Sequence, residues 1–259
     1  MPEPRVALSL DGPVAHVLLA RPEVRNAIDG PMVRELRQAI AAASAREDIR
    51  VIVLAGRGPV FCAGADVDWM RTVAGFSRKD NLADAGELAD LFETIDESPQ
   101  AVVACVQGAA LGGGAGLAAV ADIVVAEDGA RFAFSEVRLG LVPGVISPYV
   151  VRKIGVSAAR ELFLTGERFS AARAQSLGLV HRVVAVDQLD AAVDERVTEL
   201  LQAAPGAVAA AKTLVRRVSA RPEGLRELTI EAIAERRASA EGQEGLAAFL
   251  EKRKARWAQ

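Results

Sequence analysis

The nine residues Gly108-Ala-Ala-Leu-Gly-Gly-Gly-Ala-Gly116 constrain this chain more than any other stretch. They carry five glycines and lie between two apolar segments, 101–106 and 123–126, that read as buried strands. Residues 117–120 make a good helix start. The run 101–126 is long enough to span a membrane, which needs about 20 apolar residues. Its glycines, however, weaken a helix there. Strand, glycine turn, helix, strand is the expected order. Gly112, Gly113 and Gly114 have no side chains, so a ligand can approach their backbone closely. Free N–H groups at a helix start favour negative charge. Two readings stand at this point: an anion or oxyanion site, or a tight turn that needs glycine only for sterics.

The flanking chain predicts a mixed α/β core. Residues 6–10 and 14–19 read as strands joined through Asp11-Gly12-Pro13, a hairpin signal. Asp29 suits the cap of a helix starting near Pro31, with Met32, Leu36, Ala39, Ile40 and Ala43 at helical spacing. Residues 51–55 form an apolar strand, which gives a β-β-α-β order. Asp66 suits the start of a short helix carrying Trp69 and Met70. After a polar loop at 75–80, Leu82, Leu88, Leu91, Phe92 and Ile95 mark a longer helix ending before Pro99. Beyond the glycine stretch, 131–134 is a short strand and 140–144 a turn. Helices are expected at 146–154 and 157–164, and one capped by Ser170 runs to Gly178. A strand at 180–184 follows. From Asp187 onward the pattern is helical throughout, at about 187–203, 206–219, 223–238 and 241–254, within the usual boundary error. The division expected is 1–186 and 187–259.

A hydrophobic content of 51% over 259 residues supports a sizeable core. A net charge of -3 gives no basic footprint, so no nucleic-acid partner is expected. Two cysteines are too few for a disulfide framework and fit a reducing cytoplasm. Met1-Pro-Glu-Pro4 has no signal-peptide character, and no membrane association is expected.

Common catalytic patterns fail one by one. There is no GxGxxG, and no Gly-Lys-Ser/Thr follows the glycines. His16 and His181 are far apart and read as structural, so no metal site and no serine triad are expected. Cys62 without a histidine partner reads as a buried, inert thiol. What remains is two glycine-containing loops and one awkward acid. Phe61-Cys-Ala-Gly-Ala-Asp66 and Gly112-Gly-Gly114 both run from a strand toward a helix, and two converging N–H groups make an oxyanion hole. Glu136 lies in an apolar run. Burial would raise its pKa and suit it to proton transfer. Alternatively it forms a salt bridge to Arg138 or another arginine.

With these residues quoted, the chain resembles the enoyl-CoA hydratase/isomerase, or crotonase, superfamily. Further markers are Pro22-Glu-Val-Arg-Asn-Ala27, Ala121-Asp-Ile123, Ser135-Glu-Val-Arg-Leu-Gly-Leu-Val-Pro-Gly144 and Gln243-Glu-Gly-Leu-Ala-Ala-Phe-Leu-Glu-Lys-Arg253. The resemblance implies a ββα spiral core, with the helical C-terminal region serving closure of the site and oligomerisation into homotrimers or hexamers. It implies an acyl-CoA thioester substrate and no separate cofactor, since coenzyme A arrives on the substrate. The oxyanion donors would be the Ala65 and Gly113 N–H groups, with Glu136 as acid/base. Ala63 would hold the adenine, and Arg25, Asp66 and Lys252 join it as coenzyme A contacts.

One departure stands out. Two-glutamate hydratases of the family carry a glutamate where this chain has Gly116. A lone acid suits the Δ3-Δ2-enoyl-CoA isomerases. Yet Gly-Gly-Gly-x-Gly-Leu, Val145-Ile-Ser-Pro-Tyr-Val150 and Asn81-Leu-Ala-Asp-Ala85 resemble a bacterial subgroup of methylglutaconyl-CoA hydratases of leucine degradation. Hydration of such a 2-enoyl-CoA is the leading expectation, isomerisation by Glu136 alone the second, and low-turnover acyl-CoA binding the third. A second water-holding group would be Asp66, Asp68, Asp84 or the substrate's own carboxylate. Arg71 or Arg138 would meet that carboxylate.

Overall fold

The computed structural model describes residues 4–220 and 223–258. Met1, Pro2 and Glu3 of the segment read for a signal peptide lie outside them. A six-stranded sheet has the order β1-β2-β3-β4-β6-β9 and a three-stranded sheet the order β5-β7-β8. The hairpin of β1 (Val6–Asp11) and β2 (Val14–Leu19) is antiparallel, turning through Gly12 at φ 52°. β3 (Val51–Gly56), β4 (Ala101–Val106), β6 (Ile123–Glu127) and β9 (Arg182–Val184) continue the sheet in parallel. The small sheet consists of β5 (Ala109–Leu111), β7 (Arg131–Ala133) and β8 (Arg168–Ser170).

Long strand, short strand and helix alternate along the chain. β4 and β5 lead into α4 (Gly113–Val120), and β6 and β7 into α5 (Ser147–Thr165). This is the ββα winding expected. Two boundaries differ from the sequence pattern. The glycine stretch is itself structured, with β5 inside it and the helix starting four residues earlier, at Gly113. At three residues, β5 and β8 are too short for alternation to mark them. The two helices expected around residue 155 are present as the two arms of α5, which meet at a kink at Gly155, whose φ of 77° and ψ of 164° are not helical.

α1 (Gly30–Ser44) starts where Asp29 accepts a hydrogen bond from Met32 N–H, and it buries Met32, Leu36, Ile40 and Ala43. α2 (Val67–Val73) and α3 (Arg78–Glu97) follow, the latter opened by a Ser77–Asp80 capping box in the loop expected to be merely polar. Burial of one apolar face fixes α1 and α3 on the core, α3 through Leu91, Phe92 and Ile95, whereas α2 buries no residue. Phe61, Phe92, Phe132 and Phe134 are fully buried in the main core. After α6 (Ala171–Ser176), α7 (Leu189–Leu201) lays Leu189, Val193 and Val197 against Val53, Val103 and Val125 on the other face of the large sheet. α8 (Pro205–Ser219), α9 (Leu225–Ala238) and α10 (Ala240–Leu250) complete the helical region. Among the described residues no helix is long and apolar enough to cross a membrane.

Candidate active site

The two glycine loops are joined by backbone. Cys62 forms a parallel bridge with Ala110; its N–H donates to Ala109 C=O and its C=O accepts from Leu111 N–H, both at 3.0 Å. A second bridge, Ile28 to Ala65, holds the other side of the first loop. Ile28 N–H donates to Gly64 C=O at 2.7 Å, Asp66 N–H to Ile28 C=O at 2.8 Å, and Ala63 N–H to Arg25 C=O at 3.0 Å. Asn26 anchors this turn. It is fully buried, and its side chain bonds Arg21 N–H, Arg57 C=O and Val60 C=O. The Pro22–Ala27 marker therefore has a structural meaning: it props up the loop that carries Ala65.

This framework leaves two N–H groups over. Among the described residues, neither Ala65 N–H nor Gly113 N–H has a protein acceptor. Both residues line a cavity of about 620 Å³. Gly113 is the first residue of α4, so the helix dipole reinforces its donor. Gly112 before it sits at φ 49°, a left-handed conformation that favours glycine. A methyl group on Gly114 would lie within 2.8 Å of the Cys62 side chain, so sterics and ligand approach both account for the glycines.

Glu136 reaches the same point. Its Oε1 is 3.4 Å from where a Gly112 Cβ would be, and that Cβ would be 4.0 Å from Gly64 Cα. The carboxyl is half-buried, and among the described residues it has no ion pair and Oε2 has no hydrogen-bond partner. Burial raises its pKa above the usual carboxylate range. Of the two readings of Glu136, the salt bridge is absent: Arg138 is exposed and its Nε donates to Thr165 C=O at 3.4 Å. Cys62 is buried, its thiol pushed up to about 12 by desolvation, which fits an inert role.

The structure thus gathers Ala63, Ala65, Gly113 and Glu136 around one cavity and leaves three expected contacts outside it. Asp66 is spent elsewhere. Oδ1 caps α2 through Asp68 N–H and Trp69 N–H, and Oδ2 is 3.0 Å from Arg21 Nη2. Its carboxylate is engaged with the protein. Arg25 and Lys252 do not line the cavity. Lys252 follows α10 at φ 56°, exposed. Arg71 pairs with Asp68 at the surface, 2.5 Å away, so neither of these reaches the cavity.

Gly116 is more than a missing acid. A Cβ there would meet Ile146 Cγ2 at 2.3 Å and Phe92 Cζ at 3.0 Å. Apolar side chains fill the place an acid would need. Sequence patterns could not reveal this, because Gly116, Ile146 and Phe92 meet only in the fold. Of the aspartates considered, Asp84 alone lines the cavity. It is half-buried, and burial raises its pKa.

Residues 10–259 match the profile of the family described as enoyl-CoA hydratase/isomerase. The chain belongs to this enoyl-CoA hydratase/isomerase family. Its fold is the crotonase fold, as solved relatives show. An enoyl-CoA hydratase from Shewanella pealeana is 41% identical with a TM-score of 0.94, covering 98% of this chain and 96% of that one. AtuE of Pseudomonas aeruginosa is 38% identical with a TM-score of 0.93, covering 98% and 100%. The enoyl-CoA hydratase ACTT6 of Alternaria alternata is 38% identical over 208 residues, 78% of this chain and 66% of that protein. The enoyl-CoA hydratase/isomerase family acts on acyl-CoA thioesters, and the Shewanella and Alternaria relatives carry the name enoyl-CoA hydratase.

Proposed function

We propose that this protein hydrates a short, branched 2-enoyl-CoA of the methylglutaconyl type. The observation that carries this reading is the meeting of two unused N–H donors with one unpaired, half-buried carboxyl at Gly112. Ala65 and Gly113 N–H groups hold the thioester oxygen and stabilise the enolate as charge develops. Water adds its hydroxyl to the β-carbon, and the α-carbon gains a proton. Glu136 carries the proton step, with a pKa already shifted toward neutrality. Asp84 is the remaining carboxylate positioned to orient the water, since Asp66 and Asp68 are engaged in ion pairs. Ala63 C=O receives the adenine amino group, and Arg25 and a partner subunit's Lys252 meet the phosphate end. Asp66 acts by holding Ala65 in place. Trimers or hexamers fit α10, which leaves Phe249 and Leu250 largely exposed. Free, buried cysteines fit a cytoplasmic setting.

Isomerisation by Glu136 alone is the second reading, favoured by the plug at Gly116. The purified protein is given 3-methylglutaconyl-CoA, crotonyl-CoA and a 3-enoyl-CoA. Hydration of the first supports the proposal. Turnover of the 3-enoyl substrate alone replaces it with the isomerase, and binding without any turnover replaces both with an acyl-CoA-binding protein.

A further inference from the structure

Arg168 is a feature that the reading above leaves unused. It is the only lysine, arginine or histidine among the described residues that line the cavity. It is exposed to that space, and among the described residues it has no ion pair or side-chain hydrogen bond. The nearby acids are taken: Arg173 binds both Glu161 and Glu167.

The register of the small sheet places it. Leu111 pairs with Ala133, and Ala133 pairs with Arg168. Residues directly across a ladder point to the same face. Leu111 and Arg168 both line the cavity, and Ala133 between them is small and buried. Two strand spacings, roughly 10 Å, therefore separate Arg168 from the strand that leads into the Gly112–Gly113 donors. An extended five-carbon diacyl chain covers roughly 5 Å of that, from bond lengths near 1.5 Å. The arginine stem is long enough to cover the rest.

The remaining cavity charges sharpen the direction. Asp29 is neutralised by Arg5 and Arg21, and Glu87 by Arg34. That leaves Glu136 at the donors, Asp84 on α3 and Arg168 on β8 as the unpaired charges. A carboxylate on the acyl chain is repelled from Asp84 and Glu136 and finds one cation.

We infer that Arg168 is a specificity-determining residue that binds a carboxylate at the far end of a short acyl chain. The inference rests on the acyl-CoA reading of the cavity, and it names the residue that makes a carboxylated substrate preferred over its neutral counterpart. A guanidinium–carboxylate contact suits arginine because its fork offers two parallel N–H donors. A hydrogen bond to a charged group is worth a factor of about ten to a hundred in binding.

The test separates this inference from the reaction. Binding of glutaryl-CoA and butyryl-CoA, neither of which can be hydrated, is measured by calorimetry for the wild type, Arg168→Met and Arg168→Lys. The wild type is expected to favour glutaryl-CoA by about ten- to a hundredfold. Arg168→Met removes that preference and leaves butyryl-CoA binding unchanged, and Arg168→Lys keeps part of it. Equal affinities in the wild type, or an Arg168→Met variant that weakens both ligands alike, overturn the inference. In turnover, KM for 3-methylglutaconyl-CoA rises in Arg168→Met while values for 3-methylcrotonyl-CoA stay put. If the wild type hydrates neither substrate but still prefers glutaryl-CoA, the hydratase reading falls and the role of Arg168 stands. If both ligands fail to bind, the acyl-CoA reading itself fails and takes this inference with it.

Discussion

Asp66 and Glu136 flank the same pair of loops, yet the chain treats them in opposite ways. Burial alone would raise the pKa of Asp66, but the N–H groups of Trp69 and Asp68 and the Arg21 guanidinium more than offset it, holding the group below the usual range. Glu136 has no arginine beside it and its Oε2 is unpartnered, so burial outweighs the small opposing effect of its own backbone N–H and carries its pKa upward. One carboxylate is saturated and holds the scaffold; the other is stripped and left reactive. The contrast shows how a fold assigns roles to chemically similar groups through the partners it gives or withholds as it buries them.

The sharpest way to probe this contrast is to remove the stripped acid. Glu136→Gln is expected to lower kcat by about 10²- to 10⁴-fold, the scale of general acid–base catalysis, with acyl-CoA affinity retained. Deuterium exchange at the α-carbon of butyryl-CoA, which needs only the donors and Glu136, is expected to fall in parallel. Retained turnover in the variant removes Glu136 from the mechanism.

A second probe asks whether a new acid can be added beside Glu136. Gly116→Glu is expected to destabilise the protein by at least about 1–3 kcal/mol through overpacking against Ile146 and Phe92. Alone, it is expected not to improve crotonyl-CoA hydration. Combined with Ile146→Ala, it is expected to be less destabilised than the two single effects predict, because the substitutions share one space. Denaturant unfolding of the four proteins measures this; strict additivity means the space is not shared.

Removing the saturated acid gives a smaller effect. Asp66→Ala is expected to cost about 1–2 kcal/mol by uncapping α2, with the loss of the Arg21 partner included. Glu136→Gln is expected to move stability the other way at neutral pH. Its raised pKa means that the folded state holds a proton more tightly than the unfolded one. Wild-type stability therefore declines as pH rises from the ordinary carboxylate value through the raised one. Gln does not titrate, so the stability of the variant relative to wild type should rise between acidic and neutral pH, whatever the other carboxylates contribute to both proteins. A Tm of Glu136→Gln below wild type at neutral pH contradicts this. In activity, the acidic limb of α-proton exchange should lie above the ordinary glutamate value.

Much of this arrangement was legible in the residues. The hairpin, the cap at Asp29, the strands around the glycine stretch and the loops carrying Ala65 and Gly113 follow from local patterns, because each is dictated by neighbours in sequence. The apolar setting of Glu136 was also visible, as Phe134 and Val137 surround it. What escaped depends on residues far apart. The engagement of Asp66 by Arg21 spans 45 positions. The filling of the space at Gly116 by Ile146, and the row from Leu111 to Arg168, exist only once the strands and helices pack. Short strands such as β5 and β8 escaped for a related reason: pairing, and not local alternation, holds them.

The bridge between Cys62 and Ala110 has a mechanical consequence. Ala65 lies three residues beyond one end of it and Gly113 three residues beyond the other. The donors are thus mounted on a common short span, so jostling of the scaffold carries them together while their separation is conserved. The grip on an oxygen that changes charge is set by that separation. A site built in this way keeps its gauge when the protein around it breathes.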